Sequence, residues 1–387
     1  MRPTELQFLD ARPAVFPATA AAAEVRKPLK VAVIGHIRHR VAEPFMGGME
    51  AHCASLCAGL VAAGHRPTLF AAAGAVVPCD QVPICDQPYE AVLPWATWRG
   101  SEQLDAYQRR AFEEAWDHIE RGDFDVVHNN TLYAPLIRWA ADAGIPMLTS
   151  QHVPPFGAMH EAVVAAAGLP HIRFSVTSRA QLPLWFDRIP ENMTVVHNGI
   201  DCDAWAPGAK AERIVWTGRI TPNKGTALAV RAARKAGVAL DIAGSVEDED
   251  YFTAEVEPFV GDDIRYLGHL EGDALRCLVA GASAVCVTPT WEEPFGLVLA
   301  EALSCDVPVI AFDRGAMAEV MGDCGTLVPA GDVDALAAAM AEPPRLARGQ
   351  ARSRALALFS NDRMIEGYVR EYRLALAAPG EARAFAA

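Results

Sequence analysis

Two basic side chains, Arg219 and Lys224, lie close together in the stretch GRITPNKG (residues 218–225). A short apolar run precedes this stretch and a helical pattern follows it, so the loop lies at the carboxyl end of a predicted strand. A planar guanidinium and a compact ammonium on one loop suit a diphosphate, because one offers paired donors and the other a point charge. A solvated loop whose charges pair with neighbouring side chains would fit the same residues. The stretch alone leaves both interpretations open.

A second stretch, EPFGLVLAEAL (residues 293–303), places two carboxylates around the start of a predicted helix. Pro294 suits the first turn of a helix, because its missing N–H would have no partner there. We therefore expect Glu293 just before the helix and Glu301 two turns along it. Free N–H groups at that end would form an anion site. They belong to Phe295, Gly296 and Leu297. An ordinary helix cap is the alternative role for Glu293.

Weaker candidates occur in the first half of the chain. Two glycines at 47–48 open a predicted helix that carries Glu50 in its first turn, and a predicted strand ends in His152. A histidine at a strand end more often closes a loop than takes part in chemistry. His36 and His39 are three residues apart, but no further set of ligands accompanies them, so we expect no metal site.

Two successive series of alternating strands and helices must position these residues. The predicted strands span 29–34, 66–73, 124–130, 145–152, 173–178 and 193–199 in the first series. In the second series they span 213–219, 238–244, 263–270, 283–290 and 307–312. This order predicts an α/β protein with two doubly wound, Rossmann-like domains that face each other across a cleft. Ligands of such sheets bind beyond the carboxyl ends of the strands, so the cleft is the expected site.

A composition shift and an apolar stripe suggest the domain boundaries. Residues 203–212 lack periodicity and contain a proline and a glycine, which is typical of a linker. Met364, Tyr368 and Tyr372 recur at helical spacing in the last predicted helix, which could therefore return to the first domain. The predicted parts are an N-terminal extension (1–27), a first domain (28–202) with a returning helix (361–378), a linker (203–212) and a second domain (213–360).

Composition excludes several classes of protein. Hydrophobic residues make up 51% of the 387 residues and charged residues 21%, which rules out a fully disordered chain. The net charge of −14 argues against a nucleic-acid partner and limits membrane contact to a peripheral one. The nine cysteines include no CxxC pair and are expected as small buried residues in a reducing compartment. The N-terminus does not resemble a signal peptide and no apolar run of transmembrane length occurs, so we predict a cytoplasmic protein.

Taken together, the motifs resemble those of the retaining glycosyltransferases of family 4, which have the two-domain GT-B fold. The resemblance runs from about residue 30 to 375, and Glu293 and Glu301 match the E-x7-E arrangement of that family. The segments that carry it are GGME (47–50), NGID (198–201), GRITPNKG (218–225), YLGHL (266–270) and EPFGLVLAEAL (293–303). The motifs of the second half are the more specific ones.

The resemblance implies a role for each matching residue of the second half. Arg219 and Lys224 would bind the donor diphosphate, Glu301 the ribose hydroxyls, and Glu293 the transferred sugar and the charge that forms near its anomeric carbon. The backbone at Leu267, Gly268, His269 and Leu270 would contact the base.

In the first half, the resemblance implies that Gly48 touches the distal phosphate, that Glu50 lies near the acceptor and that His152 lines the sugar site. No metal or other cofactor is implied. The substrates would be a nucleotide sugar, with a UDP-sugar favoured over a GDP-sugar, and a hydroxyl acceptor that is a small molecule, a saccharide or a lipid-linked glycan. A monomer or a homodimer fits this pattern.

Other functions remain open from the sequence. A nucleotide-sugar epimerase or a phosphorylase could use the same fold, and a catalytically silent copy could act as a nucleotide-sugar sensor. Two positions also depart from the family pattern. Asp306 replaces a usual glycine and Glu319 lacks the usual preceding proline. We expect both near the outer wall of the donor pocket, where they would affect donor preference.

Overall fold

The computed structural model describes residues 27–377. The predicted N-terminal extension lies outside the described residues, apart from Lys27. Two parallel sheets, each with helices on both faces, organise the described chain. Because parallel strands need long crossovers, helices connect most of the successive strands, as the alternating pattern of the sequence predicts.

The first sheet has seven strands among the described residues. They are β1 (Lys30–Gly35), β2 (Arg66–Ala72), β3 (Asp80–Cys85), β4 (Val126–Asn130), β5 (Met147–Gln151), β6 (Ile172–Val176) and β7 (Met193–Val195). Their order is β3-β2-β1-β4-β5-β6-β7, with every pair parallel. The switch in strand order lies between β1 and β4, where a doubly wound sheet opens a ligand crevice.

The helices of this half are of very unequal length. They are α1 (Gly48–Ala62), α2 (Tyr89–Val92), α3 (Trp95–Trp98), α4 (Glu102–Arg121), α5 (Pro135–Ala143), α6 (Gly157–Ala165) and α7 (Leu182–Trp185). A 3-10 turn at Arg179–Gln181 leads directly into α7. The longest, α4, is amphipathic and is capped by Ser101, whose side chain accepts a hydrogen bond from the amide of Leu104.

The second sheet has six parallel strands in the described part of the chain. They are β8 (Ile214–Thr217), β9 (Leu240–Ala243), β10 (Ile264–Tyr266), β11 (Ala284–Val287), β12 (Val309–Asp313) and β13 (Gly325–Pro329). Their order is β10-β9-β8-β11-β12-β13. The accompanying helices are α8 (Thr226–Ala236), α9 (Glu249–Glu255), α10 (Gly272–Gly281), α11 (Leu297–Ser304), α12 (Met317–Met321), α13 (Val333–Ala341) and α14 (Gln350–Leu358). Two further 3-10 turns lie at Pro222–Lys224 and Glu257–Phe259.

The last helix, α15 (Asn361–Ala377), returns to the first sheet. Its buried stripe, which includes Met364, Tyr368 and Tyr372, packs with residues of β1 and α1 in one apolar cluster. A buried ion pair fixes the helix to β6, because Nε and Nη2 of Arg173 donate to the Glu371 carboxylate at 2.9 and 2.6 Å. The predicted two-domain fold with a returning helix is therefore confirmed.

The chain crosses between the two sheets twice, and the two crossings pair with each other. The amide of Ile200 donates to the Phe359 carbonyl at 2.8 Å, and the amide of Asn361 donates to the Ile200 carbonyl at 3.0 Å. The predicted linker lies against the ends of α10 and α11 in the second domain, since Lys210 donates to the carbonyls of Ala280 and Cys305. A change in the angle between the two sheets must therefore bend both crossing segments, which lie side by side.

Two expectations about local structure were wrong. Helix α11 begins at Leu297 rather than at Pro294, because Gly296 adopts a φ of +79° that interrupts a helix. Asp306 lies beyond the opposite end of α11, away from the predicted donor pocket. It has a φ of +54°, which explains why a glycine would fit there, and its carboxylate accepts from the amides of Gly349 and Arg352 at the start of α14.

Among residues 27–377, none of the helices combines the length and apolar character needed to cross a membrane. The cytoplasmic location stays a prediction.

The crossing of α1 and α15 depends on a small residue at position 59. A Cβ atom added to Gly59 would lie 2.5 Å from Cγ1 of Ile365, closer than any real contact. We expect Gly59→Leu to lower the free energy of unfolding by about 1–3 kcal/mol through overpacking. Ala58→Leu, on the exposed side of the same helix, is the matched control and should have little effect. Urea denaturation measures both, and equal stabilities would contradict the packing.

Candidate functional site

The carboxyl ends of the two sheets approach each other closely. A Cβ atom on Gly48, in the first turn of α1, would lie 3.2 Å from a methyl carbon of Leu297, at the start of α11. The Thr177 hydroxyl donates to the Pro294 carbonyl at 3.1 Å across the same gap. The cleft between the sheets is therefore lined on both sides by loops that follow strands.

The loop after β8 is held by backbone contacts with the loop after β11. Gly225 has a φ of +70°, and a Cβ atom there would lie 2.0 Å from the Thr288 carbonyl oxygen. The Thr288 hydroxyl lies 3.1 and 2.9 Å from the carbonyl oxygens of Lys224 and Gly225, within donating distance of both. The amide of Thr290 donates to the Asn223 carbonyl at 2.9 Å. These bonds fix the backbone position of Lys224.

Both cations of this loop form ion pairs. Arg219 Nη1 donates to Glu247 Oε2 at 2.8 Å, and Lys224 Nζ donates to Glu293 Oε2 at 2.7 Å. The Trp291 indole N–H also donates to that Glu293 oxygen at 2.8 Å. The structure thus brings Arg219, Lys224 and Glu293 to one edge, as predicted, but pairs the cations with carboxylates. A bound anion would compete with these partners.

Glu301 differs from the other acidic residues of the cleft. It lies on α11, one turn from the start rather than the two turns expected. Among the described residues its carboxylate has no hydrogen-bond or ion-pair partner, and burial raises its pKa to about 7. Glu301 is half-buried, and a carboxylate that receives no hydrogen bond from the protein can accept hydrogen bonds from hydroxyl groups of a ligand.

The start of α11 keeps free donors in spite of the shifted boundary. In the described part of the chain, the amides of Phe295, Gly296 and Leu297 donate no hydrogen bond. Phe295 is buried against His197 and Phe359, and Gly296 and Leu297 are half-buried. The predicted anion site at this helix end is therefore compatible with the geometry.

The loop 267–270 follows β10 at the same edge. The Leu267 amide donates to the Ile242 carbonyl at 2.8 Å, and the Gly268 carbonyl accepts from the Gly244 amide at 2.9 Å. Leu267 and Leu270 are half-buried, whereas His269 is exposed and lies 3.9 Å from Glu271. The loops after β8, β9 and β10 thus form one continuous rim.

Glu50 lies on the opposite side of the cleft, in the first turn of α1, and is buried. Burial raises the pKa of its carboxyl, while Arg38 and Arg219 oppose that shift. Arg38 also donates to Glu90 at 2.9 Å. Arg219 belongs to the second domain, so its effect on the pKa of Glu50 indicates that charged groups of the two domains lie close together here.

His152, at the end of β5, is half-buried and joins two buried histidines in a cluster. His152 Nε2 lies 2.7 Å from Asn130 Oδ1 and 3.0 Å from Ser150 Oγ. The ring of His52 packs on it with a centroid distance of 4.2 Å, and His128 Nε2 lies 3.0 Å from the same Ser150 oxygen. We call His52, His128 and His152 the histidine cluster.

Two tyrosines of α15 complete the histidine cluster. His52 Nε2 lies 2.9 Å from the Tyr368 hydroxyl, and His128 Nδ1 lies 2.6 Å from the Tyr372 hydroxyl. Burial lowers the pKa of His128 to about 3 and of His152 to about 4, and lowers the pKa of His52 well below its ordinary value. The cluster is therefore neutral at pH 7.

Several residues at the cleft were missed from the sequence. Glu247 and Trp291 follow predicted strands and Asn130 ends one, so their positions carried a usable signal, whereas His52 lies inside a predicted helix and carried none. Glu319 also joins the domains. Its carboxylate accepts from the amides of Arg179 and Ala180 and contacts His197 Nε2 at 2.8 Å. This carboxylate therefore forms part of the contact between the two domains.

The chain is similar to glycosyltransferases of known families. Residues 46–204 match the family described as Glycosyltransferase Family 4, and residues 211–342 match the family described as Glycosyl transferases group 1. A D-inositol 3-phosphate glycosyltransferase of Mycobacterium avium is 26% identical, and the match covers 91% of this chain and 95% of that protein.

Solved structures support the fold. A glycosyltransferase involved in avilamycin A biosynthesis has a TM-score of 0.68 and 24% identity, covering 91% of this chain and 99% of that one. The Anabaena protein HepE, solved with UDP and glucose, has a TM-score of 0.63 and 18% identity, covering 88% and 98%. Both structural similarities are evidence for the fold only.

The histidine cluster should make stability depend on pH. Each imidazole is neutral when folded but binds a proton below about pH 6.5 when unfolded, so the unfolded state takes up more protons as the pH falls. We expect the free energy of unfolding to fall between pH 7 and pH 5.5 by about 1 kcal/mol for His128 alone.

Urea denaturation across this pH range measures the dependence. His128→Leu should flatten it, whatever its absolute stability, whereas His118→Gln on the exposed surface of α4 should leave it unchanged. An identical slope in all three proteins would contradict the neutral buried state of His128.

Proposed function

Because the chain belongs to the family 4-like glycosyltransferases, we propose that it transfers a hexosyl unit, with retention of anomeric configuration, from a nucleotide-diphosphate sugar to a hydroxyl acceptor. We favour a UDP-sugar as donor and propose that no metal is required. The observation that carries this proposal is the gathering of Arg219, Lys224, Glu293 and the unpartnered Glu301 at one edge of the second sheet.

The diphosphate would bind between the two cations and the free amides at the start of α11. Its oxygens would replace the carboxylates of Glu247 and Glu293 as partners of Arg219 and Lys224. Positive groups that are fixed before the reaction stabilise the charge that develops on the leaving phosphate, and this is usually the largest catalytic contribution. In this proposal they take the place of a metal ion.

The transferred sugar would lie between Glu293 on one domain and His152 on the other. Once Lys224 binds the diphosphate, its ion pair with Glu293 is broken. The Glu293 carboxylate would then be free to bind sugar hydroxyls and to face the positive charge near the anomeric carbon. The acceptor would attack from the face that the phosphate leaves. The departing phosphate would take the proton of the acceptor hydroxyl, so no protein nucleophile is involved.

The nucleoside would bind along the rim of the second sheet. Glu301 would accept hydrogen bonds from the ribose hydroxyls, and the backbone of the 267–270 loop would contact the base. Gly48 would approach the distal phosphate from the first domain, with Glu50 near the acceptor. The proposed site needs both domains, so their approach would exclude water that could hydrolyse the activated sugar.

The acceptor class rests on the names of relatives. The Mycobacterium avium protein is named for D-inositol 3-phosphate, so polyol phosphates are the first acceptors to examine, followed by simple saccharides.

Product analysis with purified protein tests the proposal. We expect transfer from a UDP-sugar, a product with the anomeric configuration of the donor by NMR, and full activity in EDTA. Arg219→Ala should weaken binding of free UDP by roughly 1.5–3 kcal/mol in calorimetry, which is the scale of hydrogen bonds to a charged group, and leave uridine binding unchanged. Arg231→Ala, on the surface of α8, is the control.

Different outcomes would contradict different parts of the proposal. An inverted product would exclude same-face attack, and activity that EDTA abolishes and Mg²⁺ restores would exclude metal independence. Equal losses of UDP and uridine binding in Arg219→Ala would show that Arg219 does not contact the diphosphate.

Glu301 gives the proposed ribose site a distinctive pH dependence. Ribose hydroxyls would favour the ionised carboxylate, whose pKa in the free protein is about 7, so binding should release a proton at lower pH. We expect uridine to bind about tenfold more tightly at pH 8 than at pH 6. Calorimetry measures this, and uridine avoids the titration of phosphate groups. Glu301→Gln should bind independently of pH, and an unchanged dependence in that variant would place the titrating group elsewhere.

A further inference from the structure

We infer that Asn130 is a positioning residue that holds His152 in the neutral tautomer with hydrogen on Nε2, so that Nδ1 accepts a hydrogen bond from a hydroxyl of the transferred sugar. The inference rests on the proposed function, because it takes the cleft beside His152 as the sugar site.

The donor and acceptor chemistry of Asn130 decides the tautomer. Asn130 Nδ2 donates to the Met49 carbonyl at 3.5 Å, and in this orientation the amide oxygen faces His152. That oxygen can only accept, and it lies 2.7 Å from His152 Nε2 and 2.9 Å from Ser150 Oγ, which donates to it. His152 Nε2 therefore carries the hydrogen, and a neutral imidazole then has a bare Nδ1.

A chain of hydrogen bonds from α15 supports the same arrangement. With the Ser150 proton directed at Asn130, Ser150 Oγ accepts from His128 Nε2 at 3.0 Å. His128 Nδ1 is then the acceptor for the Tyr372 hydroxyl at 2.6 Å. His152 Nε2–H has two acceptors within reach, Asn130 Oδ1 at 2.7 Å and Ser150 Oγ at 3.0 Å, so turning the His152 ring would lose both. Side-chain networks of this kind fix ring orientation when all members are satisfied.

Packing restrains the other face of the His152 ring. The ring of His52 lies against it at 4.2 Å and 56°, and the bond between His52 Nε2 and Tyr368 holds His52 in turn. His152 Nδ1 has no partner among the described residues. The ring is thus anchored by Nε2 and by its face, while Nδ1 is left for a ligand.

The surroundings keep the ring uncharged. The titratable groups next to the ring are His52 from α1 and His128 from β4, which in turn contact Tyr368 and Tyr372 from α15. Burial lowers the pKa of both histidines and raises the pKa of both tyrosines, so none of them carries charge at pH 7. His152 itself has a pKa of about 4 for the same reason. A neutral ring that accepts is the state expected throughout the neutral range.

Asn130→Asp tests the inference because it places a carboxylate against Nε2–H. An adjacent negative charge favours imidazolium and raises the pKa of His152, and imidazolium cannot accept a hydrogen bond at Nδ1. We expect kcat at saturating donor to be flat from pH 6 to pH 8 in the natural protein. In Asn130→Asp, kcat should fall about tenfold per pH unit below the raised pKa and recover at high pH.

Asn129→Asp is the matched control. Asn129 is the neighbouring buried residue of β4, but its side-chain oxygen accepts from the amide and hydroxyl of Thr131 rather than from His152. The variant adds the same charge to the same strand, so its kcat should remain independent of pH. A pH-independent kcat in Asn130→Asp, or equal profiles for the two variants, would overturn the inference.

The tautomer of His152 can also be determined by NMR without substituting Asn130. Long-range ¹H–¹⁵N spectra of the natural protein at pH 7, with the His152 signals assigned from His152→Gln, should show hydrogen on Nε2 and a bare Nδ1. Hydrogen on Nδ1, or imidazolium, would overturn the inference even if Asn130→Asp does not fold. Absence of transfer from every donor would contradict the proposed function and leave the spectroscopic result standing.

Discussion

Contact between backbones at the carboxyl edge of the second sheet determines where the charges of the cleft lie. Gly225 meets the Thr288 carbonyl, and Gly244, after β9, would place a Cβ atom 1.7 Å from the Gly218 carbonyl oxygen. Side chains cannot occupy these positions, so the loops after β8, β9 and β11 meet directly. Arg219 and Lys224 leave this junction in fixed directions. Their ion pairs with Glu247 and Glu293 follow from that geometry rather than from the sequence spacing of the charges.

The same principle holds on the other side of the cleft, with different chemistry. There the position of His152 depends on neutral hydrogen bonds and packing in the first domain, which continue to Tyr368 and Tyr372 of α15. One half of the proposed site is therefore organised by paired charges at a rim. The other half is organised by a buried polar network with no net charge. Such a division suits a reaction in which a diphosphate and an uncharged sugar must bind side by side.

The sequence predicted the architecture well because a parallel α/β repeat produces a regular alternation of apolar strand segments and helical patterns. It missed the edge strands β3 and β13. Half of the β3 sequence DQVPIC is polar or proline, and β13 (GTLVP) begins with a glycine and ends with a proline, as edge strands can. The start of α11 was misplaced because Pro294 favours a first helical turn, whereas the conformation of Gly296 delays the helix by three residues. Arg219, Lys224 and Glu293 were found through their motifs. Asn130 was not found, because the role of a buried asparagine on a strand depends on which side chains tertiary packing places beside it.

The return of α15 to the first sheet has a consequence for synthesis on the ribosome. The last strand of that sheet ends at Val195, and the helix that covers β1 and α1 begins at Asn361, which is 166 residues later (361 − 195). At roughly 5–20 residues per second, this interval takes on the order of ten to thirty seconds. During that time Leu56 and Leu60, which are fully buried in the finished protein, lack their covering helix. The second domain, whose strands and helices are contiguous in sequence, can complete its core first, so the domain that is made first is the one completed last.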